Sequence, residues 1–214
     1  MDTPFWRAEV GRIALFMGDI KFDDVRIKRD DFSTAKETGT LRDGTVLPFH
    51  QVPCLVVDDV SIAQTGAIAR FCGKQSGLYP THDDVKAAKI DDLIDFATDL
   101  TVMIESTRTE TDENKRLQAR GDLAKGPLKR KLSMLEKNIS DDSEWLVTSN
   151  ISVADVAIWR LLGWLSSGVL DGMPTDLLSG FPKIRKLCLS VDKHPKIQKW
   201  ISLTYPKNYT RGHY

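Results

Sequence analysis

The chain of 214 residues carries 30 basic and 30 acidic side chains, so its formal net charge is zero. Without a global positive field, neither nucleic acid nor an anionic membrane is expected as a partner. Its three cysteines, Cys54, Cys72 and Cys188, form no CxxC or zinc-like cluster, which fits a reduced cytoplasmic protein without a metal site. No apolar run approaches the roughly 20 residues that cross a membrane, which predicts a soluble protein.

Up to about residue 80 the sequence predicts short, mixed elements. Apolar residues at i, i+3, i+4 and i+7 predict a helix over 7–17, and apolar–charged alternation predicts a strand over 22–28. The polar stretch 30–44 predicts a loop with at most a short helix. Three more elements complete this half: strands over 54–58 and 61–63, and a helix from Thr65.

After residue 80 the pattern is helical. One apolar stripe predicts a helix over 90–104, and a second predicts a helix over 128–139 that Pro127 starts or kinks. Ser152, followed three residues later by Asp155, predicts a capped helix whose apolar sequence places it in the centre of a domain. The last two predicted helices, each opened by a proline, cover 181–191 and 195–201.

This change of pattern predicts a domain boundary between Gly77 and Asp83. The expected fold class is therefore α/β followed by all-α, with one domain at 1–79 and an all-helical domain at 83–214.

Two neighbouring features are candidates for a binding site. Pro53 opens an apolar strand although it cannot donate a ladder hydrogen bond, and Gln64 to Ala67 open a helix whose free N–H groups suit a carboxylate or phosphate. Both features have simpler interpretations. Pro53 could begin an edge strand, and Gln64 and Thr65 could merely cap the helix.

The chain resembles the cytosolic glutathione transferases, most closely the sigma-like group. Such a resemblance implies a thioredoxin-like domain at 1–79 and a helical bundle at 83–214. Four segments carry it in the family's order: RAEVGRIALFMGDIKFDDVRI, LPFHQVPCLVVDDVSIAQTGAIARF, EWLVTSNISVADVAIW and HPKIQKWI.

The resemblance also implies a glutathione site. Val52, preceding a cis Pro53, would offer its N–H and C=O to the cysteinyl part of glutathione. Gln64 and Thr65 would hold the γ-glutamyl carboxylate, with Thr65 in the place of the serine that most relatives have.

Three further residues match the family's contacts to the glycyl end of glutathione. Lys36 would be the charge partner of the glycyl carboxylate, and Gln51 a neutral hydrogen-bonding partner. Phe32 stands where relatives commonly have a tryptophan. Because Phe cannot donate a hydrogen bond, this departure would weaken binding by about 0.5–1.5 kcal/mol.

An acidic stripe on the first long helix suggests a homodimer. Asp92, Asp95 and Asp99 follow i, i+3 and i+7, which is unfavourable unless a cation offsets the stripe. The resemblance implies that Asp99 reaches across a dimer interface to the γ-glutamyl ammonium. A solvated helix face is an equally good interpretation.

The family's first strand and its catalytic tyrosine match positions at or before Met1, so the first strand is apparently missing from the sequence and the catalytic residue is unknown. Thr3 is the only hydroxyl near that end. The expected function is a glutathione transferase that conjugates the co-substrate glutathione to small electrophiles, without a metal. The alternative is a non-catalytic binder of glutathione or apolar ligands on the same fold. A glutaredoxin-type redox enzyme is less favoured, because no cysteine begins the first helix.

Overall fold

The computed structural model describes residues 4–214. None of the helices within that range is long and apolar enough to cross a membrane. In chain order the elements are α1 Trp6–Met17, α2 Arg29–Thr38, β1 Cys54–Val57, β2 Val60–Ala63, α3 Thr65–Ser76, α4 Asp84–Glu105, α5 Glu113–Lys125, α6 Pro127–Asn138, α7 Val153–Ser166, α8 Pro182–Lys193 and α9 Pro195–Thr204.

Most predicted elements are confirmed, within a few residues at their ends. The strand predicted over 22–28 is wrong. The only sheet within residues 4–214 is the β1–β2 hairpin. The segment instead runs as coil, and Asp24 accepts a hydrogen bond from Arg12 Nε at 2.7 Å. Helix α5 was not predicted.

A tight turn closes the β1–β2 hairpin. Asp58 and Asp59 have φ angles of 47° and 64°, as a two-residue hairpin turn with the correct twist requires. The strands are antiparallel, with Cys54 opposite Ala63 and Val57 opposite Val60. The hairpin therefore brings the residue before β1 close to the residue after β2.

Helix α7 occupies the centre of the molecule, and nearly all of its residues are buried. It packs against α1, α4 and α8, while α1 also packs against α3 and α9. One hydrophobic cluster includes buried side chains from α1 and from the later helices, so the core is continuous. Helix α3 ends at Ser76 and α4 begins at Asp84. The division into 1–79 and 83–214 stays a prediction.

The start of α7 has the predicted capping box, formed by Ser152 and Asp155. Asp155 accepts hydrogen bonds from Ser152 N at 2.7 Å, Ser152 Oγ at 2.6 Å and Leu146 N at 2.8 Å. Its side chain is fully buried. Burial raises the pKa of Asp155, although the hydrogen bonds from Ser152 and Leu146 act in the opposite direction. This carboxyl therefore fixes both the helix start and the preceding loop.

Candidate functional site

The two features that the sequence singles out meet at one end of the hairpin. The Val52–Pro53 peptide bond is cis. Cys54 lies opposite Ala63, and continuing that antiparallel register places Pro53 opposite Gln64. The turn before β1 and the start of α3 thus form two sides of one small surface.

This surface presents backbone groups that are free to bind a ligand. Among residues 4–214, neither the N–H nor the C=O of Val52 has a hydrogen-bond partner, and the same is true of the N–H groups of Thr65, Gly66 and Ala67. No side chain caps α3 and its first turn has no acidic residue. The start of α3 is therefore not closed by a cap, and its free N–H groups suit an anion.

Helix α2 borders this surface through a contact with the loop before Pro53. The ring Nδ1 of His50 lies 3.0 Å from the Lys36 carbonyl oxygen. This contact brings the end of α2 next to Gln51. The Lys36 side chain is exposed and forms no ion pair with a carboxylate among the described residues. Phe32, one turn earlier on α2, is half-buried.

The start of α1 lies at the same end of the molecule as the start of α3. A Cβ added to Gly11 would lie 3.1 Å from Ile68 Cγ2, and one added to Gly18 would lie 2.6 Å from Ser76 Cβ. These two contacts advance in the same direction along both helices, so α1 and α3 run parallel. The first turn of α1 is held to α4, since Trp6 Nε1 donates to Thr101 Oγ1 at 2.9 Å.

The predicted acidic stripe is offset by two cations, which sequence reasoning did not identify. Arg70 of α3 lies 2.6 Å from Asp91 and 2.9 Å from Asp95. Lys131 of α6 lies 3.4 Å from Asp99. Arg70 thereby ties α3 to α4, whereas Asp99 faces α6. Within one chain, then, no contact joins Asp99 to the free backbone groups beside Pro53.

Comparison with known proteins finds glutathione transferases of similar sequence and fold. The family model "Glutathione S-transferase, C-terminal domain" matches residues 98–203. Glutathione S-transferase 1 of Ascaris suum is 29% identical over 202 residues, covering 91% of this chain and 89% of the relative. The crystal structure of the glutathione S-transferase from Ascaris lumbricoides superimposes with a TM-score of 0.77 at 27% identity, covering 97% of this chain and 96% of that one.

The chain is similar to glutathione transferases along about nine-tenths of its length. Its fold is the expected one, a thioredoxin-like region followed by a helical region. A third relative, the hematopoietic prostaglandin D synthase of Gallus gallus, is 28% identical over 195 residues, covering 91% of this chain and 89% of the relative. The sigma-like grouping stays a prediction.

The three cysteines of this chain are poorly suited to thiol chemistry. Burial raises the pKa of the Cys72 thiol to about 11 and raises that of Cys188 still further. The pKa of Cys54 is also raised, chiefly by partial burial. A thiol that stays protonated at neutral pH is a weak nucleophile, which argues against a glutaredoxin-type reaction.

No side chain is assigned to catalysis among the described residues. Residues 4–17, which lead into and form α1, include no Ser, Thr, Tyr or Cys. The first strand and its tyrosine were expected at or before Met1, and Thr3 was the nearest hydroxyl. These positions lie outside the described residues.

A groove of about 560 Å³ lies between the turn after α4 and helix α5. The lining includes the hydroxyl residues Ser106, Thr107 and Thr109. It also includes the charged residues Glu110, Lys115 and Asp122, together with Leu123 and Pro127. This lining is mixed and not the apolar surface expected for an electrophilic co-substrate, so we do not assign the groove to that ligand.

Proposed function

We propose that the protein binds glutathione at the surface formed by Val52, Pro53, Gln64 and Thr65. The observation that carries this proposal is the strand register that places Pro53 opposite Gln64, with free backbone groups on both sides. Val52 would pair with the cysteinyl part of glutathione in the manner of a strand. The free N–H groups of α3 and the Thr65 hydroxyl would hold the γ-glutamyl carboxylate.

The glycyl end of glutathione would extend towards α2. Lys36 is an exposed cation without an ion-pair partner among residues 4–214, which supports its role as charge partner of the glycyl carboxylate. Gln51 would add a neutral hydrogen bond from the loop that His50 ties to α2. Phe32 lies one turn from Lys36 and offers no donor.

The reaction we propose is conjugation of glutathione to small electrophiles. The thiol gives up its proton to water, the sulfur forms a bond to an electrophilic carbon, and the leaving group departs with the electron pair of its broken bond to that carbon. Relatives named glutathione S-transferase support this class of reaction. A variant of the same proposal is an isomerisation that uses glutathione. The relative named hematopoietic prostaglandin D synthase supports this variant.

A non-catalytic glutathione-binding protein is the second candidate. It needs only the free backbone groups beside Pro53 and at the start of α3, and no side-chain donor that stabilises a thiolate. Without such a donor, only a few per cent of a thiol with a pKa of about 8.5 is ionised at neutral pH.

We also propose a homodimer, in which Asp99 of one subunit approaches glutathione in the other. The Asp99 side chain is 64% exposed, and its contact with Lys131 is long, at 3.4 Å. Asp99 could therefore exchange Lys131 for a ligand ammonium. A solution mass equal to that of one chain at micromolar concentration would contradict the dimer.

Calorimetry with glutathione tests the binding proposal. The double variant Gln64→Ala/Thr65→Ala should lose at least about 1.5 kcal/mol of binding free energy, because the contacts are to a charged group. Thr98→Ala is the control, since the Thr98 hydroxyl bonds within α4 to the Ile94 carbonyl. No binding heat with wild type at millimolar glutathione would overturn the proposal. Conjugation of an aryl halide then separates the transferase from the binder.

A further inference from the structure

A buried arginine joins the two ends of the described chain. Arg160, on the central helix α7, is fully buried. Its guanidinium donates to the Pro4 carbonyl at 2.8 Å, to the Arg211 carbonyl at 3.1 Å and to the Tyr209 hydroxyl at 3.0 Å. Pro4 and Arg211 are more than 200 residues apart in sequence, yet both bind one side chain.

Neutral groups stabilise the positive charge of the Arg160 guanidinium. It has no carboxylate within ion-pair distance among the described residues, and the rings of Trp159, Tyr205 and Tyr209 lie 5.0, 5.6 and 5.7 Å from its guanidinium carbon. A buried charge without a counter-ion depends on every hydrogen bond and ring that faces it. Losing either chain end would therefore leave part of this guanidinium unsatisfied.

The chain end from Tyr205 to Tyr214, called the tail below, is fixed to α7 and α8. Arg211 pairs with Asp192 of α8 through two bonds of 2.8 and 2.9 Å. The amide of His213 donates to Ser166 Oγ at 3.1 Å. Gly163 makes this close approach possible, because a Cβ there would collide with the Arg211 carbonyl oxygen.

One hydroxyl connects the tail directly to the start of the described chain. Tyr209 OH accepts from Arg160 and donates to the Pro4 carbonyl at 3.2 Å. Pro4 is two residues before α1, whose first turn lies at the same end of the molecule as the start of α3. The position of Pro4 thus depends on the tail and on Arg160 together.

We infer that Arg160 is a positioning residue for the glutathione site and that the tail braces the segment leading into α1. This inference rests on the proposed function for its catalytic part. Arg160 touches no reacting atom. It acts by holding Pro4, and through Pro4 the first turn of α1, at the end of the molecule where α3 also begins.

Two pairs of variants test the brace. Gly163→Ala should displace the tail without weakening α7 itself, because Ala is the better helix former by about 1 kcal/mol. Gly121→Ala is the matched control, since a Cβ at this helical glycine meets nothing within 4 Å. Tyr209→Phe removes the hydroxyl that binds Pro4, whereas Tyr214→Phe removes a tail hydroxyl that donates to the Arg211 carbonyl.

Amide hydrogen exchange and steady-state kinetics supply the two readouts. Gly163→Ala and Tyr209→Phe should speed exchange at residues 5–10 by at least about tenfold, because the local opening energy falls. They should also lower kcat by about tenfold while KM for glutathione stays within about twofold, as expected for misplacement and not for lost binding. The two controls should match wild type.

The outcomes separate the brace from the proposed function. Unchanged exchange at residues 5–10 in Gly163→Ala and Tyr209→Phe would overturn the brace. Faster exchange with an unchanged kcat would overturn the positioning role and leave the brace standing. A wild type that binds no glutathione would remove the proposed function and the positioning role, while exchange still decides whether the tail holds Pro4.

Discussion

Cys54 and Ala63 face each other across the hairpin, and this pairing determines where the candidate site lies. Because the strands are antiparallel, the residues just outside the pair, Pro53 and Gln64, also face each other. The cis peptide bond and the uncapped start of α3 therefore meet, although 11 positions separate them in the sequence. This geometry is the physical basis of the proposed glutathione site.

Replacing Lys36 tests the glycyl end of that site. Because Lys36 is exposed, an ion pair with the glycyl carboxylate contributes only about 0.2–1 kcal/mol, so Lys36→Ala should weaken glutathione binding by up to about fivefold. The loss should shrink as salt is added, since salt screens exposed charges. Calorimetry at two salt concentrations measures both effects. Lys186→Ala, another exposed lysine, should change neither, and an equal loss there would refute the assignment.

Ser152→Ala should destabilise the protein without affecting the ligand. The variant loses the hydroxyl of the α7 capping box, which costs about 0.5–2 kcal/mol of unfolding free energy. Chemical denaturation measures this change. Ser133→Ala is the control, because the Ser133 hydroxyl bonds only within its own helix. A parallel loss of glutathione affinity in Ser152→Ala would mean that the site has been misplaced.

The buried Asp155 should make stability depend on pH. Its folded pKa lies above the ordinary value of 3.8, so the native state holds this proton more tightly than the unfolded state does. The contribution of Asp155 to the free energy of unfolding therefore falls as pH rises from 3.8 through its folded pKa. Asparagine does not ionise, so the stability of Asp155→Asn lacks this dependence on pH.

Denaturation of wild type and Asp155→Asn over a series of pH values provides the measurement. The wild type should lose free energy of unfolding relative to the variant as pH increases. If the difference in free energy of unfolding between the two proteins does not change with pH, or changes in favour of the wild type as pH increases, the pKa of Asp155 is not raised.

Thiol labelling should distinguish the three cysteines. Cys54 is partly exposed, whereas Cys72 and Cys188 are buried. Only Cys54 should react with an alkylating reagent in the native protein, and slowly, because its pKa is raised. Mass mapping of the labelled protein identifies the sites. Rapid labelling of Cys72 or Cys188 without unfolding would contradict the burial described above.

Local patterns in the sequence predicted much of the fold. Ser152 and Asp155 predicted the capped start of α7, and apolar spacing predicted α1, α4 and α6. Helix α5 was missed because it buries only Arg120 and Ala124, so no apolar stripe marks it. The strand over 22–28 was wrong because apolar–charged alternation alone does not decide whether a segment becomes a strand.

The candidate site was partly predictable for the same reason. The local sequence at Pro53 and Gln64 indicates unusual backbone conformations. The structure agrees, with a cis bond before Pro53 and a φ of 71° at Gln64. The role of Arg160 could not be predicted, since its partners Pro4, Tyr209 and Arg211 lie at least 49 residues away in sequence. These three residues come together at the Arg160 guanidinium only in the folded chain.

Titration of the isotope-labelled protein with glutathione, followed by amide NMR, tests the proposed binding surface residue by residue. Saturable shifts are expected at the amides of Val52, Thr65 and Gly66, which have no hydrogen-bond acceptor among the described residues. These shifts should be lost or weakened in Gln64→Ala/Thr65→Ala. No shift at saturating glutathione, or shifts confined to the groove between α4 and α5, would mean that glutathione does not bind beside Pro53 and the start of α3.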